Sequence, residues 1–201
     1  MQENTTTMSE SCKRLNDFFS DLDKMMQMIE SQLTSSGKSD FKKHELYTEH
    51  PRGKFYISNF LSLLFMKNKG EHGTFQVLTR LHDELYGRDR EWGEINPFTK
   101  GESEIALILT DMPQQKWKKH WPKYTGTEIL NNHSNLRTIE EVDDYYRGYL
   151  IWDNVRINFI IKVEKLSSFS EGDIDSLISD KIVNIVPNME ILLRNYQLSS
   201  Q

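Results

Sequence analysis

The stretch Glu104-Ile105-Ala106-Leu107-Ile108-Leu109-Thr110 decides the fold, because an unbroken apolar run stands between two polar ends. A short continuous apolar run of this kind is typical of a central strand that is buried on both faces. Such a strand needs hydrogen-bonding neighbours on each side and a layer of other elements over the sheet. The rest of the chain must therefore supply both.

Further strands are predicted on either side of this run. Residues 148–166 predict a hairpin, since Asp153 and Asn154 tolerate the positive φ that tight turns require. Residues 54–66 are aromatic and apolar and predict a long strand, although their poor alternation leaves a buried helix as the competing interpretation. Residues 73–85 alternate apolar and polar side chains, which predicts a strand that pairs back.

Two helices are predicted between the central strand over residues 104–110 and the hairpin over residues 148–166. Thr138 with Glu141 three residues later matches a capping box, which predicts a helix over residues 138–147. A shorter helix is expected to start at Asp111, with a proline in its first turn, and to stop at Pro122.

The C-terminal part predicts two more helices. Apolar residues at helical spacing run through residues 170–186, and Pro187 is expected to break that helix. Asn188 is then expected to cap a last helix. The side chains expected to face inward from it are Ile191, Leu192 and Tyr196.

An amphipathic helix is predicted near the N-terminus. Its apolar residues recur at a period near 3.5, no Gly or Pro interrupts them, and Gly37 can end the helix in the left-handed conformation. This face can zip to a second copy or to a partner; alternatively the helix folds back onto its own sheet, since isolated helices of this length are marginal. The predicted oligomerisation residues are Leu15, Phe18, Leu22, Met25, Ile29 and Leu33.

Together these patterns predict an α+β fold: a mostly antiparallel sheet of about five strands, with a long N-terminal helix and C-terminal helices. The predicted organisation has a disordered tail over residues 1–9 and the amphipathic helix over residues 10–36. A single α+β domain follows over residues 38–201.

Composition narrows the class of protein. The mean hydropathy is −0.64, and no uncharged apolar run approaches the roughly 20 residues of a membrane helix. The polar N-terminus lacks a secretion pattern, and the single Cys12 excludes an intramolecular disulfide framework or a Cys-rich zinc site. We therefore expect a cytoplasmic protein in a reducing compartment, with no membrane partner. The net charge of −5 excludes a globally basic coat but allows a local basic patch.

One such patch is the segment Lys-Trp-Lys-Lys-His-Trp-Pro-Lys-Tyr over residues 116–124, which we call the basic segment. Its four lysines leave −9 on the rest of the chain (−5 minus 4), and basic side chains beside flat rings suit single-stranded nucleic acid. The same segment would also suit an acidic protein surface. Alternatively, the two tryptophans, four residues apart, anchor a short helix to the core while the lysines are solvated. The predicted binding residues are Lys116, Trp117, Lys118, Lys119, Trp121, Lys123 and Tyr124.

Catalytic motifs are weak. The six histidines form no metal-binding helix pair, and neither a nucleophile elbow nor a phosphate-binding glycine loop occurs. Glu104, Asp111 and Glu164 lie at or near predicted strand ends, where a metal-dependent nuclease would place its acids. The acid-x-Lys triplet of restriction nucleases is missing. We therefore assign no catalytic residue, no metal ligand and no cofactor.

The sequence thus predicts a non-catalytic, macromolecule-binding protein of a regulatory or inhibitory accessory kind. It would bind a protein partner through the basic segment, or a second copy of itself through the N-terminal helix. The alternative is a protein that acts on nucleic acid, either a single-strand binder or a divergent metal-dependent nuclease. In that case Trp117, Trp121 and Tyr124 would stack on bases while the lysines meet phosphates.

Overall fold

The computed structural model describes residues 8–35, 41–49, 60–67, 73–80, 97, 99, 102–112, 136–152, 154–170 and 172–199. The helices in this part of the chain are α1 (Met8–Ser35), α2 (Ile174–Ile178) and α3 (Val186–Ser199). The strands are β1 (Phe41–Glu49), β2 (Phe60–Lys67), β3 (Thr74–Arg80), β4 (Glu104–Thr110), β5 (Leu136–Val142), β6 (Tyr145–Trp152) and β7 (Val155–Lys165). A 3-10 turn (Leu166–Phe169) and a π-helical turn (Ser179–Val183) complete the order.

The strands form one antiparallel sheet in the order β1-β2-β3-β4-β7-β6-β5. The α+β class is confirmed, with seven strands where the sequence predicts about five. β4 has the predicted bounds, lies in the middle of the sheet and is buried along its whole length. The predicted hairpin is also confirmed as β6 and β7, with Asn154 at φ 61° in the turn.

The helix predicted over residues 138–147 is wrong. This segment forms β5, a turn with Asp143 at φ 54°, and the start of β6. Cross-strand pairing outweighs the local capping-box pattern, because the pairing packs the partly buried Ile139 and Tyr146 against the second core cluster of the sheet. At Gly148 an added Cβ would overlap the Thr138 carbonyl oxygen, so the two strands approach too closely there for any larger residue.

The C-terminal helices differ in detail from the prediction. The stripe over residues 170–186 is divided among the 3-10 turn, α2 and the π-helical turn. α3 begins at Val186, so Pro187 stands in its first turn, where its missing N–H costs no hydrogen bond, and Asn188 is not the cap. Tyr196 faces inward as predicted, whereas Ile191 is 56% exposed.

Several predicted elements fall wholly or partly outside the described residues. Asp111 and Met112 lie in no helix, and the rest of the short helix predicted there is not described. The same holds for residues 1–7 of the predicted tail, while Met8 and Ser9 are helical. β1 was not predicted, because its charged residues obscure the strand pattern.

The core lies on both faces of the sheet. On the helix-covered face, α1 packs with the odd-numbered apolar residues of β4 and with the C-terminal helices. On the second face, the even-numbered residues of β4 join Leu78, Met112, Leu150 and Phe159. This division follows from the two-residue period of a strand. None of the described helices is both long and apolar enough to span a membrane.

Candidate functional site

The basic segment over residues 116–124 lies outside the described residues. The strands before and after it, β4 and β5, show where the chain leaves and re-enters the sheet. The chain leaves β4 after Thr110, which is opposite Phe159 of β7. It re-enters the sheet at Leu136, which is opposite Leu150, itself opposite Ile157. Both points lie at one end of the sheet, which we call the Asp111 end.

Two arginines and two tyrosines lie together at the Asp111 end, on the helix-covered face. The Arg156 guanidinium carbon is 3.9 Å from the centroid of the Tyr149 ring and 5.8 Å from that of Tyr196. The Arg147 guanidinium carbon is 5.0 Å from the Tyr196 centroid. These are cation–π distances, so the four side chains form one arginine–tyrosine cluster.

An amide network supports this cluster. The Asp111 carboxylate accepts hydrogen bonds from the Asn158 backbone N–H at 2.8 Å, from the Asn158 side-chain amide at 2.6 Å and from the Gln197 side-chain amide at 2.7 Å. Asn158, which is 8% exposed, in turn accepts a hydrogen bond from Arg156 Nε at 2.8 Å. The network joins β4, β7 and α3, and it fixes the Arg156 side chain at one end.

The two arginines differ in charge compensation. Arg147 donates to Glu140 at 2.7 Å and forms an ion pair with it. Arg156 is exposed and forms no ion pair within the part of the chain that the structure describes. Because Arg147 is paired with Glu140, Arg156 is the cation of the cluster that can receive an anion.

Burial raises the pKa of Tyr196, while Arg156 and Arg147 act in the opposite direction, so its hydroxyl is protonated near neutral pH.

A polar cavity of about 260 Å³ lies at the opposite end of the sheet. Its deepest acid is Glu104, which is 1% exposed and accepts a hydrogen bond from the Thr99 backbone N–H at 2.8 Å. Its lysines are already paired: Lys165 with Glu102 at 3.2 Å, and Lys162 with Glu164 at 3.8 Å. The full lining is Pro97, Thr99, Glu104, Glu141, Asp144, Tyr146, Lys162, Val163 and Lys165. Because its charges compensate one another, this cavity offers less for an anion than Arg156 does.

The acids that would serve a nuclease are not brought together. Glu104 and Asp111 stand at opposite ends of β4, about 24 Å apart at the usual rise of about 3.4 Å per residue. Glu164 lies opposite Ile105 in register, so it points to the other face from Glu104, and Lys181 pairs with it at 3.3 Å. Among the described residues no three His, Cys, Asp or Glu side chains are grouped as a metal site requires.

Most of the predicted oligomerisation residues pack inside their own chain. The four side chains that lie in the core of the helix-covered face are Leu22, Met25, Ile29 and Leu33. Phe18 is 39% exposed and contacts Phe19 edge-on, with ring centroids 5.5 Å apart. Leu15 lies in α1, and its side chain is not among the described ones. This arrangement is the alternative in which the helix folds back onto its own sheet.

Sequence reasoning missed the arginine–tyrosine cluster. Its members come from two strands and a helix, and only the strand register and the packing of α3 bring them together. The two-residue spacing of Arg147 with Tyr149, and of Arg156 with Asn158, is the local signal that could have indicated a shared polar face. Comparison of the chain with protein-family models, curated proteins and solved structures finds no match.

Proposed function

We propose that this chain is a non-catalytic, macromolecule-binding accessory protein that contacts its partner at the Asp111 end of the sheet. The observation that carries this proposal is the position of the arginine–tyrosine cluster. It lies at the end of the sheet from which residues 113–135, including the basic segment, depart and to which they return. Cations and aromatic rings from two strands and a helix thus lie together where this connection departs and returns.

The chemistry of this end suits binding. The Asp111 carboxylate already accepts three hydrogen bonds and serves as a structural acceptor. Arg156 and the four lysines of the basic segment supply positive charge within a chain of net charge −5. A local patch of opposite sign attracts an anionic partner and orients it, because the rest of the surface repels that partner.

The predicted cytoplasmic location and the regulatory role form part of this proposal. Self-association through α1 has less support than binding at the Asp111 end, since four of its six predicted residues are in the core. Among the predicted residues whose side chains the structure describes, a dimer through α1 would have to rely on Phe18. Measurement of the mass in solution at two concentrations tests it: the double change Leu15→Glu with Phe18→Glu should abolish any dimer that forms through α1, and a dimer that survives this change forms elsewhere.

Charge reversal in the basic segment tests the proposed function. The probes are a fluorescein-labelled oligo(dT) of about 20 nucleotides, longer than a single-strand site of roughly 4–16 nucleotides, and a labelled poly-glutamate peptide. Lys118→Glu with Lys119→Glu should weaken binding of the preferred probe by about tenfold or more in fluorescence anisotropy.

The matched control is Lys13→Glu with Arg14→Glu, which makes the same change in net charge on the exposed N-terminal part of α1. Binding by the control should stay within about twofold of the wild type, because these charges do not belong to the basic segment. Equal weakening by both double variants, or binding of neither probe by the wild type, contradicts the proposed function.

A further inference from the structure

We infer that the N-terminal half of α1 is a contact surface for a second copy of this chain, whose own α1 lies against it in the antiparallel direction. This inference goes beyond the proposed function and does not depend on the basic segment. A dimer through all six predicted residues of α1 would need four that are in the core. The contact inferred here uses only the part of the helix that extends beyond the core.

This N-terminal half is the exposed part of α1. The side chains of α1 that are buried begin at Leu22 and end at Leu33. Before Leu22, every side chain that the structure describes is exposed, except the half-buried Phe19. Residues 8–21 of the helix have a length of about 21 Å at the usual rise of about 1.5 Å per residue. Apart from Phe19, this half contributes no described side chain to the packing of its own chain.

The apolar heptad pattern of α1 continues into the exposed half. The a positions of this pattern are Leu15, Leu22 and Ile29, and its d positions include Phe18 and Met25. Phe18 is 39% exposed, although the same stripe is buried from Leu22 onward. The exposed end of an amphipathic stripe is a surface that a second helix can cover.

The charges beside this stripe complement one another across a two-fold axis. The g positions are Arg14 and Asp21, whose side chains are both exposed. In an antiparallel pair of helices the g positions of the two chains face each other. If Leu15 of one copy packs beside Phe18 of the other, Arg14 of each copy lies opposite Asp21 of the other. Two ion pairs then flank two apolar layers, which is the self-complementarity that a symmetric dimer requires.

The antiparallel direction is favoured over the parallel one. In a parallel pair, Arg14 would face Phe19 of the second copy and Asp21 would face Met26, because g positions then meet e positions. Phe19 packs against its own core and Met26 is 1% exposed, so neither offers a charge. Asp21 already pairs with Lys24 at 2.9 Å, but both side chains are largely exposed, so the carboxylate can also receive an arginine.

The overlap of the two helices is short. It covers about three turns, from the residues before Leu15 to Leu22, where the core of each chain begins. We therefore expect a weak dimer, with a Kd on the order of 10 μM or more.

The test measures the mass of the full chain by sedimentation equilibrium from about 1 to 200 μM, because self-association depends on concentration. Arg14→Glu places two like-charged pairs in the contact and should weaken the dimer by about tenfold, and Asp21→Arg should do the same. A 1:1 mixture of these two variants restores both opposite-charge pairs, so a heterodimer should form within about threefold of the wild-type affinity. Lys13→Glu is the matched control, since it makes the same charge change at an exposed position outside the stripe and should dimerise like the wild type.

Recovery of the dimer in the mixture supports the inference. The inference is overturned if the wild type is a monomer at all these concentrations, if the mixture dimerises no better than either variant alone, or if Lys13→Glu weakens the dimer as much as Arg14→Glu does. Circular dichroism checks that each variant keeps its helix content. Should a charge reversal lower it, Phe18→Ala decides the matter, because it leaves the charges unchanged and should also weaken the dimer by about tenfold.

These outcomes are distinct from those of the proposed function. The control variant Lys13→Glu with Arg14→Glu should dimerise less well than the wild type and still bind its probe, because each chain carries its own basic segment. If the wild type binds a probe but stays monomeric, this inference fails alone. If the wild type dimerises but binds neither probe, the proposed function fails alone.

Discussion

The helix-covered face of the sheet has two parts with opposite chemistry. Where α1 packs, the sheet presents apolar side chains to an apolar helix stripe, and the interface is buried. Under the C-terminal end of α3, the residues of β7 on this face are Ile160, then Asn158, then Arg156. Along this series, apolar contacts give way to hydrogen bonds and cation–π contacts. The first part provides stability through buried apolar area, whereas the second holds polar groups in fixed positions near the surface. We therefore expect changes in the two parts to have different consequences.

The largest effect on stability should come from the α1 part. Ile29 of α1 is 0% exposed and belongs to the core cluster with β3 and β4. Ile29→Ala should lower the free energy of unfolding by about 2–5 kcal/mol, because it removes buried methyl groups and leaves a cavity. Urea unfolding followed by tryptophan fluorescence measures this change.

Ile191→Ala is the control for that experiment, because the Ile191 side chain is 56% exposed on α3. Its free energy of unfolding should stay within about 0.5 kcal/mol of the wild type. Equal losses in the two variants would mean that α1 does not form part of the core, and the contrast between the two parts would disappear.

A smaller effect is expected in the α3 part. Gln197→Ala removes the 2.7 Å hydrogen bond to the Asp111 carboxylate and should lower the free energy of unfolding by about 1 kcal/mol. Gln27→Ala is the matched control, since Gln27 donates to Asp23 on the exposed face of α1 at 2.9 Å and should contribute about a third as much. A loss for Gln197→Ala as large as that for Ile29→Ala would show that the polar part carries as much stability as the apolar part.

The smallest effect concerns pH and lies outside both parts, at the start of α2. Asp173 accepts hydrogen bonds from the Ser176 hydroxyl at 2.8 Å and from its backbone N–H at 3.2 Å, and these lower the pKa of the carboxyl below its ordinary value of 3.8. A lowered pKa means that the stabilisation is present above 3.8 and is lost as pH falls through the folded-state pKa. Asp173→Asn should therefore have a lower Tm than the wild type near neutral pH, and the difference should shrink in acid. A difference that grows in acid would contradict this assignment.

The sequence predicts an element well where one signal dominates. The apolar run of β4 and the turn of the β6–β7 hairpin are confirmed, since a strand buried on both faces has few polar positions and a tight turn needs residues that accept positive φ. The helix prediction for residues 138–147 is wrong because a capping-box pattern and a strand alternation coexist there. Only pairing with the neighbouring strand decides between the two. The arginine–tyrosine cluster could not be predicted, because Arg147, Arg156 and Tyr196 are far apart in the chain.

The chain alone determined its class, its central strand, the amphipathic character of α1 and the island of positive charge over residues 116–124, because these depend on composition and local period. Tertiary structure decided what the apolar face of α1 covers and which polar residues meet at the Asp111 end. The reason is that the spacing of side chains along a helix or strand determines which of them share a face, whereas strand register and helix packing determine which faces meet.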